Sequence, residues 1–160
     1  MLEPLQVEVV LQPEQKGTAD AVSCAMKVLK GFRGNLLVLC GDTPLLRPKT
    51  LSGMIQRHRE GNGPVTVLTT VVPDPTGYGR VIRQTDGTLL RIAEEKDASE
   101  KIRSIREINT GIYVFDVSYL TEVLSEIKPD NAQKEFYMTD TVEIAARRGL
   151  SVQGVLGKDP

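Results

Sequence analysis

Apolar residues fall along this chain in short blocks whose spacing alternates between strand-like and helix-like. Residues 7–11 (VEVVL) form a short β-branched run, read as a strand that ends at Gln12-Pro13 because a proline disfavours helix in the residue before it. Ala21, Val22, Ala25, Met26 and Leu29 then recur at helical spacing behind Thr18, a predicted N-cap. Residues 36–40 (LLVLC) are uniformly apolar, the pattern of a strand covered on both faces in a parallel sheet, and the run stops at Gly41-Asp42-Thr43-Pro44. Residues 48–60 predict a second helix with Leu51, Met54 and Ile55 inward. Its polar last turn carries His58, read as a helix C-terminal cation rather than a catalytic base. Residues 65–72 (VTVLTTVV) read as a strand. The order β-α-β-α-β predicts a parallel sheet with right-handed crossovers.

The texture changes after residue 72. Residues 73–80 (PDPTGYGR) form a loop rich in turn formers. Residues 81–83 (VIR) and 89–92 (LLRI) flank Asp86-Gly87, a hairpin signal, and the second arm runs into the charged cluster at 94–97. Residues 98–107 read as an irregular or helical excursion, and residues 108–115 as a strand carrying Asn-Thr-Gly near its start. Helices at 118–127 and from about residue 140 to Gly149, then a short strand at 152–156, complete the pattern before the chain ends on Gly-Lys-Asp-Pro.

Composition narrows the function classes. The 160 residues suffice for one domain with a core, and 40% hydrophobic and 26% charged residues are ordinary for a globular protein. A net charge of -1 gives no electrostatic case for nucleic acid or an anionic membrane, so phosphate binding has to come from local geometry and metal. Cys24 and Cys40 have no metal-ligand spacing and read as buried thiols in a reducing compartment. No apolar stretch is long enough to span a bilayer, and the first residues lack the basic start and apolar core of a signal peptide. The expected location is the cytoplasm.

Candidate chemistry gathers at strand ends. Asp42 would project beyond the carboxyl end of its strand, where ligands sit in open α/β sheets, and offers a hard carboxylate of the kind Mg²⁺ prefers. Gly41 permits close approach to the backbone, although Gly-Asp-x-Pro also simply ends strands. Gly17-Thr18 either presents a helix N-terminus to an anion or the edge of a base, or merely starts a helix. Gly79 either admits a ligand to the backbone or belongs to a tight turn. The cluster at 94–97 reads as a solvated face in which one carboxylate can accept from sugar hydroxyls. Asn109 offers a donor and an acceptor.

Six motifs occur in order: QPEQKGTADA from Gln12, GDTPL from Gly41, DPTGYGR from Asp74, EEKDA from Glu94, INTGI from Ile108 and EFYMTD from Glu135. Together they resemble the uridyltransferase (pyrophosphorylase) domain of the bifunctional N-acetylglucosamine-1-phosphate uridyltransferase/glucosamine-1-phosphate acetyltransferase family, over nearly the whole chain. The resemblance implies an α/β, Rossmann-like nucleotide-diphospho-sugar transferase fold, with a mostly parallel central sheet, flanking helices and a small β-hairpin insertion. It implies a bacterial, cytoplasmic enzyme that joins UTP and N-acetylglucosamine 1-phosphate into UDP-N-acetylglucosamine and pyrophosphate for cell-envelope synthesis. Carried over, Gln12, Gly17 and Thr18 contact the uracil, Gly41 lies against the nucleoside, and Asp42 is the catalytic Mg²⁺ ligand. Gly79, Glu94 and Asn109 hold the N-acetylglucosamine part. Cys40 stands where the family often has tyrosine, a difference that should not matter if only its backbone is used.

The family pattern opens with a strand and a Gly-rich loop, L-x-A-G-x-G-T-R-M, followed by a Pro-Lys pair. None of this occurs in the 160 residues, nor does the second metal ligand, an asparagine, or the acetyltransferase β-helix. Residues 1–160 are therefore expected to form an N-terminally truncated, partial domain. In isolation its turnover is expected to be weak or absent. The parent enzyme is expected to trimerise through the missing C-terminal domain. The same pattern would also suit a degenerate relative, or a chain completed by a second one. Another sugar-1-phosphate nucleotidyltransferase and a non-catalytic nucleotide-sugar-binding module are the alternative functions.

Overall fold

The computed structural model describes residues 7–43 and 46–157. Helical spacing produces α1 (Thr18–Val28), α2 (Pro48–Glu60), the one-turn α3 (Glu100–Arg103), α4 (Val117–Val123) and α5 (Asp140–Arg147). The β-branched runs produce β1 (Asn35–Val38), β2 (Val65–Val71), β3 (Arg80–Arg83), β4 (Leu89–Ala93), β5 (Glu107–Asp116) and β6 (Val152–Leu156). Among the described residues no helix is long and apolar enough to cross a membrane.

The sheet is mixed, in the order β4-β3-β5-β2-β6, with β1 also pairing β5. Its long central strand makes this arrangement possible. The C-terminal half of β5 lies between β1 (Val38 opposite Tyr113) and β2 (Val65 opposite Phe115). The N-terminal half lies between β2 (Thr70 opposite Ile108) and β3 (Arg80 opposite Ile108). All these pairings are antiparallel, and β2–β6 is parallel. β1, β2, β3 and β6 share one direction, but β5 is interposed between β1 and β2, so the sheet is mixed where a mostly parallel one was expected, and among the described residues only β2 and β6 pair in parallel. The register shows how: β4 ends and β5 begins beside the same residue, with Arg80 opposite both Ala93 and Ile108, so β5 continues in the direction of β4, antiparallel to β3, past the start of β3. The β3–β4 hairpin forms around Asp86-Gly87 as expected.

Alternation along the strands builds a core on each face. Val65, Val67, Tyr113 and Phe115 pack with Leu120 and Val123 of α4 and Val142 and Ala145 of α5. Leu68, Ile112 and Val114 pack on the other face against Met54, with Leu51 and Ile55 of α2 around it. β1 contributes to both clusters, but it is an edge strand among the described residues and only half-buried. Cys40 falls outside it, half-buried, whereas Cys24 is buried, and both thiols are free.

Three expectations need correction. Residues 7–11 are not a strand: Val9 and Leu11 are each 80% exposed and no described strand pairs with them. β propensity is insufficient without a partner and a face to bury. Thr18 does not cap α1. Gly17 holds the N-cap at φ 113°, and the Thr18 hydroxyl accepts from the Met138 N–H instead. His58 does not lie in a solvated last turn but is buried, with Nδ1 2.9 Å from Thr66 Oγ1 and Nε2 3.2 Å from Asp116 Oδ1. Both partners come from neighbouring strands, β2 and β5, so spacing along α2 could not reveal them. The turn role read for Pro44, its neighbour Leu45, and the last residues of the chain lie outside the described residues.

Candidate active site

Strand register brings Gly79, Glu94 and Asn109 together. Gly79 precedes β3, whose Arg80 pairs with Ala93 at the end of β4, so Glu94 follows immediately alongside. The Asn109 N–H donates to the Gly79 carbonyl at 2.9 Å. A Cβ on Gly79 would lie 2.9 Å from Ile92 Cγ2 and 3.2 Å from Glu94 Oε2, so the absent side chain lets the carboxylate lie against the backbone. The loop before Gly79 is held by the buried Arg80, which pairs with Glu95 at 2.7 Å and also donates to the Tyr78 carbonyl. Arg80's hydrogen bond holds the Glu95 carboxyl below its usual range, and Glu95 also accepts from the Gly77 N–H at 3.3 Å.

The side chains at this corner are oriented by their neighbours. Asn109 Nδ2 donates to the Tyr113 hydroxyl at 2.7 Å, and the Gly111 N–H donates to Asn109 Oδ1 at 3.1 Å. This arrangement fixes the carboxamide and leaves one N–H and one lone pair for a ligand. Burial, reinforced by Glu94, raises the Tyr113 hydroxyl far above its usual value, so it is a neutral phenol. Glu94 Oε1 accepts from Thr139 Oγ1 at 3.0 Å. Burial raises the Glu94 carboxyl, with Thr139 opposing and Asp97 and Glu135 adding to the rise.

The second wall is the entry to α1. The Ala19 N–H donates to Phe136 O at 2.9 Å, the Phe136 N–H donates to Lys16 O at 2.8 Å, and the Met138 N–H donates to Thr18 Oγ1 at 3.0 Å. Gly17 sits inside this clip. Gln12 Nε2 donates to Gly17 O at 3.2 Å and to Asp20 Oδ2 at 2.7 Å. Thr139 follows Met138 directly, so residues 136–139 tie the Gln12–Thr18 wall to Glu94.

The third wall follows β1. Gly41 and Asp42 form an exposed turn, closed by the Thr43 hydroxyl donating to Cys40 O at 2.8 Å. The Cys40 thiol donates to Gly111 O at 3.4 Å, and a Cβ on Gly111 would lie 2.6 Å from its sulfur. The Cys40 side chain thus ties the turn after β1 to β5 at Gly111. Burial, with Asp42 nearby, raises its thiol. The Asp42 carboxylate makes no hydrogen bond or ion pair among the described residues, where no group of three or more potential metal ligands occurs either.

Six of the eight predicted residues, Gln12, Gly17, Thr18, Gly79, Glu94 and Asn109, thus lie along one run of contacts, whereas Gly41 and Asp42 are linked to it through Cys40, whose thiol reaches Gly111. Asp20, Tyr113, Thr139 and Asp140 join it without having been singled out. Thr139 and Asp140 were within reach, because they close the EFYMTD motif. The polar cavity of about 440 Å³ lined by Asn35, His58 and Asp116 lies at the other ends of β1 and β2 and contains none of the eight.

Asp140 supplies a pH test of this corner. Burial first, then Glu143, Glu94 and Asp97, push its carboxyl up to about 6, against Arg147. A carboxyl raised in the folded state makes folding less favourable as pH rises from the unfolded value of about 4 towards 6. The Asp140→Asn variant is therefore expected to gain about 1 kcal/mol at pH 7.5, after discounting for partial solvent screening, and nothing at pH 4. Urea unfolding at the two pH values measures this; an equal effect at both would remove Asp140 from the cluster.

Residues 2–159 match the Nucleotidyl transferase family. Among curated relatives, the "Bifunctional protein GlmU" of Brevibacillus brevis is 51% identical over 154 residues, which is 96% of this chain and 33% of that protein. The protein of the same name from Geobacter metallireducens is 50% identical over 145 residues, covering 91% and 30%. That from Geotalea uraniireducens is 46% identical over 154 residues, covering 96% and 34%. The chain spans about a third of the length of the curated relatives it matches. With nearly every residue inside the family match, and the fold an α/β sheet with its polar residues gathered at the strand ends, this chain belongs to the nucleotidyl transferase family.

Proposed function

We propose that these residues form part of a uridyltransferase site that makes UDP-N-acetylglucosamine and pyrophosphate from UTP and N-acetylglucosamine 1-phosphate. The carrying observation is the clip at residues 136–139, which joins the Gln12-Gly17-Thr18 wall to the Gly79-Glu94-Asn109 wall. A base on the first wall and a sugar on the second would be held at a fixed separation, as a nucleotide sugar requires. The expected location is the bacterial cytoplasm, and the product feeds envelope synthesis. The parent protein is expected to trimerise through its acetyltransferase domain.

In this reaction a phosphate oxygen of the sugar phosphate bonds to the α-phosphorus of UTP, and the bond from that phosphorus to the oxygen bridging to the β-phosphate breaks. The attacking oxygen is already ionised, so no protein nucleophile is needed, and positioning and charge neutralisation dominate. Glu94 accepts from sugar hydroxyls, and Asn109 supplies the N–H and lone pair left free by Tyr113 and Gly111. Backbone at Gly41, where nothing lies within 4 Å of an added Cβ, admits the nucleoside closely, and Gly79 lets the Glu94 carboxylate lie against the backbone of the sugar wall. Asp42 fits a Mg²⁺ that takes one or two carboxylates and completes its shell with water and substrate phosphates, because its carboxylate is exposed and uncommitted. Bound there, the ion would supply positive charge to the reacting phosphates.

Pyrophosphate release from UTP, N-acetylglucosamine 1-phosphate and Mg²⁺ tests the proposal, run on the gene product that carries these residues beside a panel of other nucleotides and sugar phosphates. Preference for another pair would assign a different sugar nucleotidyltransferase. Binding without turnover would assign a binding module. Within the same assay, Glu94→Gln is expected to raise KM for the sugar phosphate about tenfold with KM for UTP little changed, as for loss of a charge-assisted hydrogen bond. Equal changes in both would take Glu94 out of the sugar wall.

A further inference from the structure

Gln12 is held in one orientation. Its Nε2 donates to Gly17 O at 3.2 Å and to Asp20 Oδ2 at 2.7 Å. A carbonyl and a carboxylate can only accept, so the carboxamide nitrogen, not its oxygen, must face them. Both N–H groups are thereby committed, while Oε1 has no partner among the described residues. Asp20 lies in the first turn of α1, where the helix dipole favours a negative charge. It is therefore a fixed acceptor, eight residues from the side chain it orients.

We propose that Asp20 is a positioning residue for base specificity, turning Gln12 so that this side chain offers only an acceptor to the base. This rests on the reading of Gln12, Gly17 and Thr18 as the base-binding wall. An acceptor at that point selects a pyrimidine with a ring N–H at N3, as in uracil. Cytosine has a lone pair at N3, and its donor sits on the exocyclic amine instead. To pair with cytosine N3, Gln12 would have to turn its Nε2 outward. Oε1 would then face both the Asp20 carboxylate and the Gly17 carbonyl, acceptor against acceptor. Asp20, at the shorter of the two distances, supplies most of the resistance to that flip.

The test is titration calorimetry of UTP and CTP with the 160-residue chain and its Asp20→Ala and Asp20→Asn variants, with melting temperatures measured in parallel. The unaltered chain is expected to bind UTP at least tenfold more tightly than CTP. Asp20→Ala is expected to reduce that preference about tenfold, mainly by strengthening CTP binding, because the carboxamide becomes free to turn. Asp20→Asn is expected to fall between, since an amide can accept from Nε2 or donate to Oε1. A folded Asp20→Ala with an unchanged UTP-to-CTP ratio overturns the proposal. So does equal weakening of both nucleotides, which marks a purely structural role. Should Asp20→Ala fail to fold, an unchanged ratio in folded Asp20→Asn overturns it equally. An unaltered chain that does not prefer UTP defeats the base-wall reading itself, and the role of Asp20 falls with it; that failure is visible before any variant is made.

Discussion

Replacing Asp42 with asparagine is expected to lower turnover by about 10²- to 10³-fold while changing the affinity for uridine nucleotides by less than about threefold. The asymmetry follows from its position. Asp42 occupies the exposed turn after β1 and contacts neither the Gln12–Thr18 wall nor the Glu94 corner. Its carboxylate is not consumed by any bond among the described residues, so the substitution removes charge without breaking the fold. Asparagine keeps the size and one carbonyl oxygen but loses the charge that a hard divalent cation requires. Turnover is read by pyrophosphate release and affinity by equilibrium binding. Parallel loss of both would mean that Asp42 holds nucleotide rather than metal.

Gly17→Ala is the second large effect, and it acts through the fold. A Cβ there would lie 2.5 Å from the Phe136 carbonyl oxygen and 2.8 Å from its nitrogen, and these atoms are backbone, which cannot swing away. The residue also sits at φ 113°, in the region that favours glycine. Conformational strain of about 1–3 kcal/mol adds to the cost of separating α1 from residues 136–138. The sum, about 3 kcal/mol or more, should lower Tm by about 10 °C for a domain of this size, and loosen both walls together. Gly31→Ala is the control. Gly31 has φ 87° but nothing within 4 Å of an added Cβ, so it carries strain without the clash. Equal Tm losses in the two variants would show that the clip at Phe136 is not tight.

Much of this was legible in local pattern, and the misses share one physical cause. α2 and β2 follow from helical and β-branched spacing, and the β3–β4 turn from Asp-Gly, because each signal lies within a few residues of its effect. The insertion of β5 between β1 and β2 was not legible, since it depends on pairing between residues as distant as Asn35 and Asp116. His58 was misread for the same reason: its partners arrive from β2 and β5. Residues 7–11 carry a genuine strand signal that no described neighbour satisfies. At the site, motif residues such as Gln12, Glu94 and Asn109 could be named from sequence. Of the groups that orient them, Asp20 and Tyr113 are ordinary helix and strand residues until the chain is folded, whereas Thr139, in the turn before α5, was within reach through its motif.

The central claim is that the walls set by Gln12, Gly17 and Thr18 and by Gly79, Glu94 and Asn109 accept one nucleotide sugar between them. Amide NMR of the chain during titration with UDP-N-acetylglucosamine tests it most directly. The account predicts concerted shifts at Gly17, Thr18, Gly79, Asn109 and Gly111, saturating at a common ligand concentration, with the amides of His58, Gly61 and Gly63 unmoved. Shifts confined to His58, Gly61 and Gly63, beside the polar cavity at the far ends of β1 and β2, would contradict it.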